Sequence, residues 1–368
     1  MLKTTYSIFR QFLTTAIMAV FFSNLVSGIS PLWANEKEDG MAKPAKLFTS
    51  NDTLSVTLTG PWRDIQRNRK NQDPYPAKLE FTDQSGQLRS INITAERRGL
   101  TRQKACSFPP IKLRFEKESV KGTVFRGQKS LKMVTHCEKA ERFEQYFILE
   151  MLAYRMYNLI TDFSFRVRPL NVNYVDSETG NTDEGRFAFL IEDDGDVADR
   201  HDLKKLNVPK VKLSQLEPGV TSEFSLFQYM IANVDWATLG GPKPDECCHN
   251  SKLIGPEPIT GSGNVYPIPY DFDSSGLVDA PYATPPEGLP IRSVSQRLYR
   301  GYCKFDSTLE SAREKFLARE TDIYALINDE DRLSSKTRGR AVKYIGNFFE
   351  IIKDPKDFEK RVTGKCRK

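Results

Sequence analysis

The chain's hydrophobic period is two up to about residue 134 and first becomes helical near residue 140, and that change bounds what it can fold into. Between 54 and 134 apolar residues recur at every second position in short runs: Leu54, Val56 and Leu58, then Leu79 and Phe81, Ile91 and Ile93, Ile111, Leu113 and Phe115, and Leu131 and Met133. Successive side chains of a strand point to opposite faces, so each run predicts a half-buried β-strand. Asp83-Gln84-Ser85-Gly86, between two of the runs, has hairpin-turn chemistry. From 142 to 159 the period becomes helical, with Phe143, Phe147, Met151, Tyr154 and Tyr157 in a broad apolar stripe. Strands are predicted again at 165–168, 170–175 and 186–192, the last two joined by a turn over 176–183. A second apolar helix is expected over 222–233, short strands at 250–253 and 265–270, and a charged helical tail from 307. No internal repeat is visible. The expectation is an α+β chain, β-rich over about 51–192 and mixed or helical over about 193–368.

The first residues carry Lys3 and Arg10, then an uncharged stretch over 12–29, then Pro31-Leu32-Trp33-Ala34 and an abruptly polar 35–39. A basic start, an apolar middle and a small residue before a polar segment are the parts of a secretory signal, expected here over about 1–34. The apolar run, about 18 residues, is near the lower limit for crossing a bilayer, and no second run of that kind follows. Residues 35–50 are expected to be a mobile leader, and the remainder to work in the periplasm or outside the cell without a stable membrane span. The chain has 54 basic and 48 acidic residues, and two of the former and none of the latter fall in the first 34, leaving +4. That balance argues against nucleic acid as a partner, which calls for a concentrated basic face. Six cysteines in an exported chain suggest disulfides. They allow 15 pairings, among which Cys106 with Cys137 is favoured because each flanks a strand of the same region. Cys247-Cys248-His249 lacks the second ligand pair of a zinc site.

Four segments carry candidate chemistry: Arg97-Arg98-Gly99 with Lys112 on a strand, Leu190-Ile191-Glu192, Asn233-Val234-Asp235-Trp236 followed by His249-Asn250, and Tyr270-Asp271-Phe272-Asp273-Ser274-Ser275-Gly276. In the last, two carboxylates at i and i+2 end an apolar strand before a small-residue turn. Oxygen ligands in such a place suit a hard cation such as Mg²⁺, while the same pattern also serves a turn in which Asp side chains accept from the backbone. Asp, then Asn, then a strand-end Asp is the order in which protein kinases place the hydroxyl base and the two metal ligands. Lys112 or Lys132 would pair the phosphates and Glu150, on the 142–159 helix, would hold that lysine. Arg292, Arg297 and Arg300 are a further set of anion-clamp candidates, since arginine forks match phosphate, although arginines on a charged segment are usually solvated.

Read together, these segments resemble the spore coat protein H (CotH) kinase-like family, a divergent relative of the protein-kinase fold. The resemblance spans roughly residues 90–300 in order. It rests on Arg98-Gly99, the Lys112 strand, the 142–159 helix, Leu190-Ile191-Glu192, Asp235 with His249-Asn250, and Tyr270-Asp271-Phe272-Asp273. It implies a divergent kinase-like domain over 51–368 and ATP-dependent phosphorylation of a protein hydroxyl with Mg²⁺ or Mn²⁺. Asp235 would be the base, Asn250 and Asp271 metal ligands with Asp273 a further one, and Arg98, Lys112, Glu150 and Glu192 the nucleotide side. The chain departs from the family in a Gly-Gly-Pro-Lys-Pro stretch and a Cys pair between Asp235 and Asn250. It departs also in Leu100-Thr101 after Arg98-Gly99, and in Tyr270 where Trp is common. Two other readings fit the same residues: an envelope binding or structural protein that keeps the fold without the chemistry, and a metal-dependent phosphoester hydrolase.

Overall fold

Seven strands form the first half of the molecule: β1 (Leu54–Gly60), β2 (Tyr75–Thr82), β3 (Leu88–Arg97), β4 (Ile111–Phe115), β5 (Ser130–Val134), β6 (Val167–Asp176) and β7 (Thr182–Ile191). The computed structural model describes residues 43–68, 71, 73–99, 101–241 and 247–368, and the expected export signal lies outside them. The strands are ordered β1-β2-β3-β4-β5-β7-β6 and close into a barrel. Every pairing is antiparallel except the closing one, where β6 runs parallel to β1 with Leu170 opposite Leu54 and Asp176 opposite Gly60. The period-two residues meet inside: Val56, Leu58, Leu79, Phe81, Ile91, Ile93, Leu113 and Met133 are all buried in one core. The two segments expected at 165–168 and 170–175 are one strand, because Pro169 removes a donor but sits in register opposite Phe189 without breaking the ladder.

The leader expectation is corrected at its end. Lys46–Phe48 forms a 3₁₀ turn, and Leu47 and Phe48 are buried in the barrel core. Two adjacent large apolar side chains gain more by covering the barrel than by remaining in water.

Short helices α1 (Trp62–Arg67) and α2 (Thr101–Ala105) interrupt the strands, and α3 (Glu144–Asn158) lies against the barrel's outer wall. The run Phe187-Ala188-Phe189-Leu190-Ile191 is buried throughout for this reason: Ala188 and Leu190 face the barrel interior, while Phe187, Phe189 and Ile191 join the α3 core. A strand covered on both faces reads as a continuous apolar run rather than an alternating one.

The second half begins with α4 (Asp194–Arg200) and β8 (Lys204–Lys205). Then follow α5 (Pro218–Met230), β9 (Ser251–Gly255) and β10 (Tyr266–Pro269), the strands forming a sheet ordered β10-β9-β8. Four helices finish the chain: α6 (Asp306–Ala318), α7 (Glu320–Asn328), α8 (Ser335–Lys353) and α9 (Pro355–Arg361). Residues of α3, α5, α8 and β10 share one core, and residues 41–368 make one unit. Among the described residues no helix is long and apolar enough to cross a membrane.

The cysteines pair as Cys106–Cys137, Cys247–Cys248 and Cys303–Cys366. Cys106–Cys137 is the pairing favoured from the strand positions; the other two needed the fold. Cys303–Cys366 joins residues 63 apart and ties the entry of α6 to the C-terminal segment. Closing a loop of that length restricts the unfolded chain by about 4 kcal/mol in the chain-entropy account. Cys303→Ser with Cys366→Ser is expected to lower the unfolding free energy by about that amount. The check is a guanidinium titration of oxidised protein against the double variant; a change well below 1 kcal/mol would refute it.

Candidate functional site

The β9–β10 hairpin brings its two ends together. Ser251 lies opposite Pro269, so the preceding Asn250 and the following Tyr270 are side by side, with Tyr270 N–H donating to Asn250 O at 3.2 Å. Asn250 and Asp271 both adopt positive φ, +46° and +61°. Asn and Asp tolerate this left-handed region better than other side chains, and backbone held there is characteristic of functional sites. The Asp235 loop is built just as locally. Asn233 Oδ1 accepts from Asp235 N–H (3.0 Å), and Trp236 Nε1 donates to Asn233 O (3.0 Å). Arg300 Nη1 donates to the carbonyls of Val234 and Trp236. Ala237 pairs with His249, which sets the two segments face to face. His249 Nε2 then lies 2.7 Å from Asp235 Oδ1, and Asn250 Nδ2 donates to Asp235 O (2.8 Å) and Oδ2 (3.1 Å). The hydrogen bond that His249 donates to Asp235 raises the His249 pKa, with the charge of Asp235 adding to it. Because the Asn250 amide nitrogen is turned to Asp235, its Oδ1 is left as an acceptor.

Behind Asp271 stands a buried arginine. Gly99, at φ +83°, turns the chain out of β3, and α2 follows with Arg102, whose side chain is 7% exposed. Arg102 Nη2 donates to both carboxylate oxygens of Glu150 (2.8 and 2.9 Å) and reaches Asp271 Oδ1 at 3.3 Å. Its Nε donates to Asp273 Oδ2 at 2.8 Å, and Ser274 and Tyr282 donate to Asp273 as well. Glu150 and Tyr154 sit four residues apart on α3, hence on one face, and Tyr154 Oη accepts from Asp271 N–H at 3.0 Å. One guanidinium thus holds three carboxylates from α3 and the β10 end. Burial pushes Glu150 up to about 8 against the pull of Arg102, with Asp273 and Asp271 adding to the rise. Burial also raises Asp271, and neighbouring Asp273 raises it further. Asp273 goes the other way: burial opposes ionisation, but Arg102 and the hydrogen bonds from Ser274 and Tyr282 outweigh it and lower its pKa.

On the other side of Tyr270 lies a group of cations. Arg98 Nη2 donates to the Tyr270 hydroxyl. Lys132 Nζ lies 4.4 Å and Lys252 Nζ 5.9 Å from the Tyr270 ring centroid. Among the described residues none of the three has a carboxylate within ion-pair distance. Burial depresses the Lys132 amine to about 8, and the positive charges of Lys252 and Arg98 lower it further. Three cations sharing one aromatic ring repel one another; Asp194, beyond ion-pair distance, offsets part of the charge on Lys132 and Lys252, and an anion placed among them would relieve the remaining repulsion.

The structure brings Arg98, Asp235, Asn250, Asp271, Asp273 and Glu150 into one region and leaves two expected residues out. Lys112 faces the same side of the sheet as Lys132, directly opposite it across β4 and β5, but its ammonium is 3.6 Å from Glu96. Glu150 is held by Arg102 and not by a strand lysine, because α2 carries that guanidinium between α3 and the β10 end. Glu192 is buried on Arg200 (3.0 Å) and accepts from Arg166 N–H (3.0 Å), so its carboxylate is already engaged. Asp273, expected as a further metal ligand, has its carboxylate engaged by Arg102, Ser274 and Tyr282. Reading the sequence missed Arg102, Lys252, Tyr154 and Tyr282. Tyr154 was accessible through its spacing from Glu150 and Lys252 through its strand, two residues after Asn250. Arg102 sits on a five-residue helix with no periodic signal. A separate cavity of about 720 Å³ beside Phe108 and His136 shares only Tyr282 with this cluster.

Comparison with protein-family models, with curated proteins and with solved structures finds no match for this chain.

Proposed function

We propose that this chain is an exported, metal-dependent, kinase-like phosphotransferase that uses ATP to phosphorylate a protein hydroxyl, on a divergent kinase-like fold of the spore coat protein H type. The observation that carries the reading is the trio Arg98, Lys132 and Lys252 gathered around Tyr270 with no carboxylate within ion-pair distance among the described residues, next to Asp271, Asn250 and Asp235. A polyphosphate meets the charge requirement of the trio. Lys132 takes the phosphate-binding role expected of Lys112, since Glu96 already engages the latter. Asp271, whose side chain is 34% exposed, and Asn250 Oδ1 offer the oxygen ligands that Mg²⁺ or Mn²⁺ prefers. When bound, such an ion supplies neutralisation of phosphate charge. Asp235 accepts the substrate hydroxyl proton, with His249 beside it to stabilise the carboxylate. Arg102 and Glu150 hold Asp271 in place. The three disulfides of the described residues support the exported location.

Calorimetric titration of ATP into the purified protein with Mg²⁺ or Mn²⁺ tests this. Saturable binding is expected, weakened at least tenfold by Asp271→Ala. Affinity should also fall as pH rises through about 8, where the Lys132 amine loses its proton. No saturable binding with either metal would end the proposal. One observation favours a second reading. Arg102 already supplies the acid cluster with a cation, so a binding protein that takes nucleotide without catalysis needs no metal there. Metal-independent ATP binding, unchanged in Asp271→Ala, would select it.

A further inference from the structure

Arg297 has no counter-ion. Its Nε and Nη2 donate to Met230 O (3.2 and 3.1 Å), Nη2 also to Tyr344 O (2.6 Å), and its guanidinium stacks 4.1 Å from the Tyr344 ring centroid. Among the described residues no carboxylate lies within ion-pair distance of it, and Nη1 makes no hydrogen bond. Backbone carbonyls satisfy donors but do not neutralise charge, so a partly buried guanidinium left in this state is costly. Burial accordingly lowers its pKa, and no carboxylate opposes that shift.

Arg297 lines a cavity of about 590 Å³ between α5, the 290–299 segment and α8–α9. None of the twelve lining residues is an acid, whereas Lys360, Arg361 and Lys365 stand with Arg297 in its wall. Among the described residues only Arg361 of these has an acid within ion-pair distance, Asp357 at 3.6 Å, which is itself outside the lining. Tyr229 and Tyr299 form an edge-to-face pair on one side, their ring centroids 6.0 Å apart. Cavities of this volume hold small molecules. The charge calls for a dianion, the Nη1 donor that Arg297 keeps and the Arg361 guanidinium beside it suit a tetrahedral oxyanion, and the tyrosine wall offers a surface for a ring.

We propose that this cavity, built by Arg297, Lys360, Arg361 and Lys365 against Tyr229 and Tyr299, binds a small phosphate monoester carrying a ring. It is a different site from the one around Tyr270, and its occupancy does not depend on phosphoryl transfer there. The probe is phenyl phosphate, titrated calorimetrically at low salt into Lys132→Ala protein, in which the Tyr270 site has lost a cation. Saturable one-site binding is expected, weakening as salt is raised. It should fall at least tenfold in the same protein carrying Lys360→Glu and Lys365→Glu. Both lysines are exposed, so charge reversal leaves the fold intact, which circular dichroism confirms independently. Arg297→Lys keeps a positive charge but loses the Nη1 donor and should weaken binding by a smaller factor. Absence of saturable binding at millimolar phenyl phosphate would overturn the proposal. So would an affinity unchanged by the double charge reversal.

Discussion

Arg102→Met is expected to destabilise the protein by about 3–5 kcal/mol, the cost of removing one partner from a buried charge network. The methionine fills the volume but leaves Glu150, Asp271 and Asp273 facing one another with no cation. Two of them are almost fully buried, their side chains 1% and 10% exposed, so water cannot take over the role of the guanidinium. Arg102→Lys should recover only part of the loss. An ammonium is a point charge, and here one fork reaches Glu150 through Nη2 and Asp273 through Nε at once. Urea denaturation of the three proteins measures this, and an Arg102→Met midpoint within error of wild type would disprove it. The same cluster gives a pH dependence of definite sign. Glu150 holds its proton up to about 8 when folded, whereas an unfolded glutamate releases it near 4.5. Between those values the native state binds more protons than the unfolded one, so stability falls as pH rises, by at most about 1.4 kcal/mol per pH unit. Glu150→Gln should flatten that slope, and Arg102→Met should steepen the loss on the alkaline side.

The second large effect concerns the proposed transfer step. Asp235→Asn is expected to reduce phosphoryl transfer by about 10²–10⁴-fold, the usual worth of a positioned base, while ATP binding changes little. Both oxygens of Asp235 accept hydrogen bonds, from His249 on one side and Asn250 on the other. An asparagine must turn its NH₂ toward one of these donors, so a local stability loss of about 1–3 kcal/mol accompanies the change. Transfer of labelled phosphate to a generic serine-rich protein, run beside calorimetric ATP binding, separates the two effects. Transfer at the wild-type rate would remove Asp235 from the role of base. Loss of nucleotide binding together with transfer would instead make Asp235 part of the nucleotide site.

Much of the secondary structure was legible because its signals are local. The strands at 54–58, 111–115 and 130–134 declare themselves by alternation, and α3 by its apolar stripe. The proximity of Asp235, Asn250 and Asp271 was suggested by their order along the chain. Their mutual geometry came from the β9–β10 pairing and the Ala237–His249 bridge. The choice between Lys112 and Lys132 could not be read from alternation, because both point to the same face of adjacent strands. What distinguishes them is Glu96, which engages Lys112 and sits opposite it only once β3 and β4 are in register.

By itself, then, the sequence determined where most strands and helices fall and the set of acids worth watching, and it favoured Cys106 with Cys137 among the possible pairings without fixing it. Only the tertiary structure decided three things: the closure of seven strands through the parallel β1–β6 seam, the seating of Arg102 among three carboxylates, and the gathering of cations around Tyr270 and Arg297. Hydrophobic period is a property of neighbours a few residues apart. Charge balance in the folded protein is a property of groups that can lie 171 residues apart, as Arg102 and Asp273 do. No pattern along the chain reports whether a buried charge has met its partner.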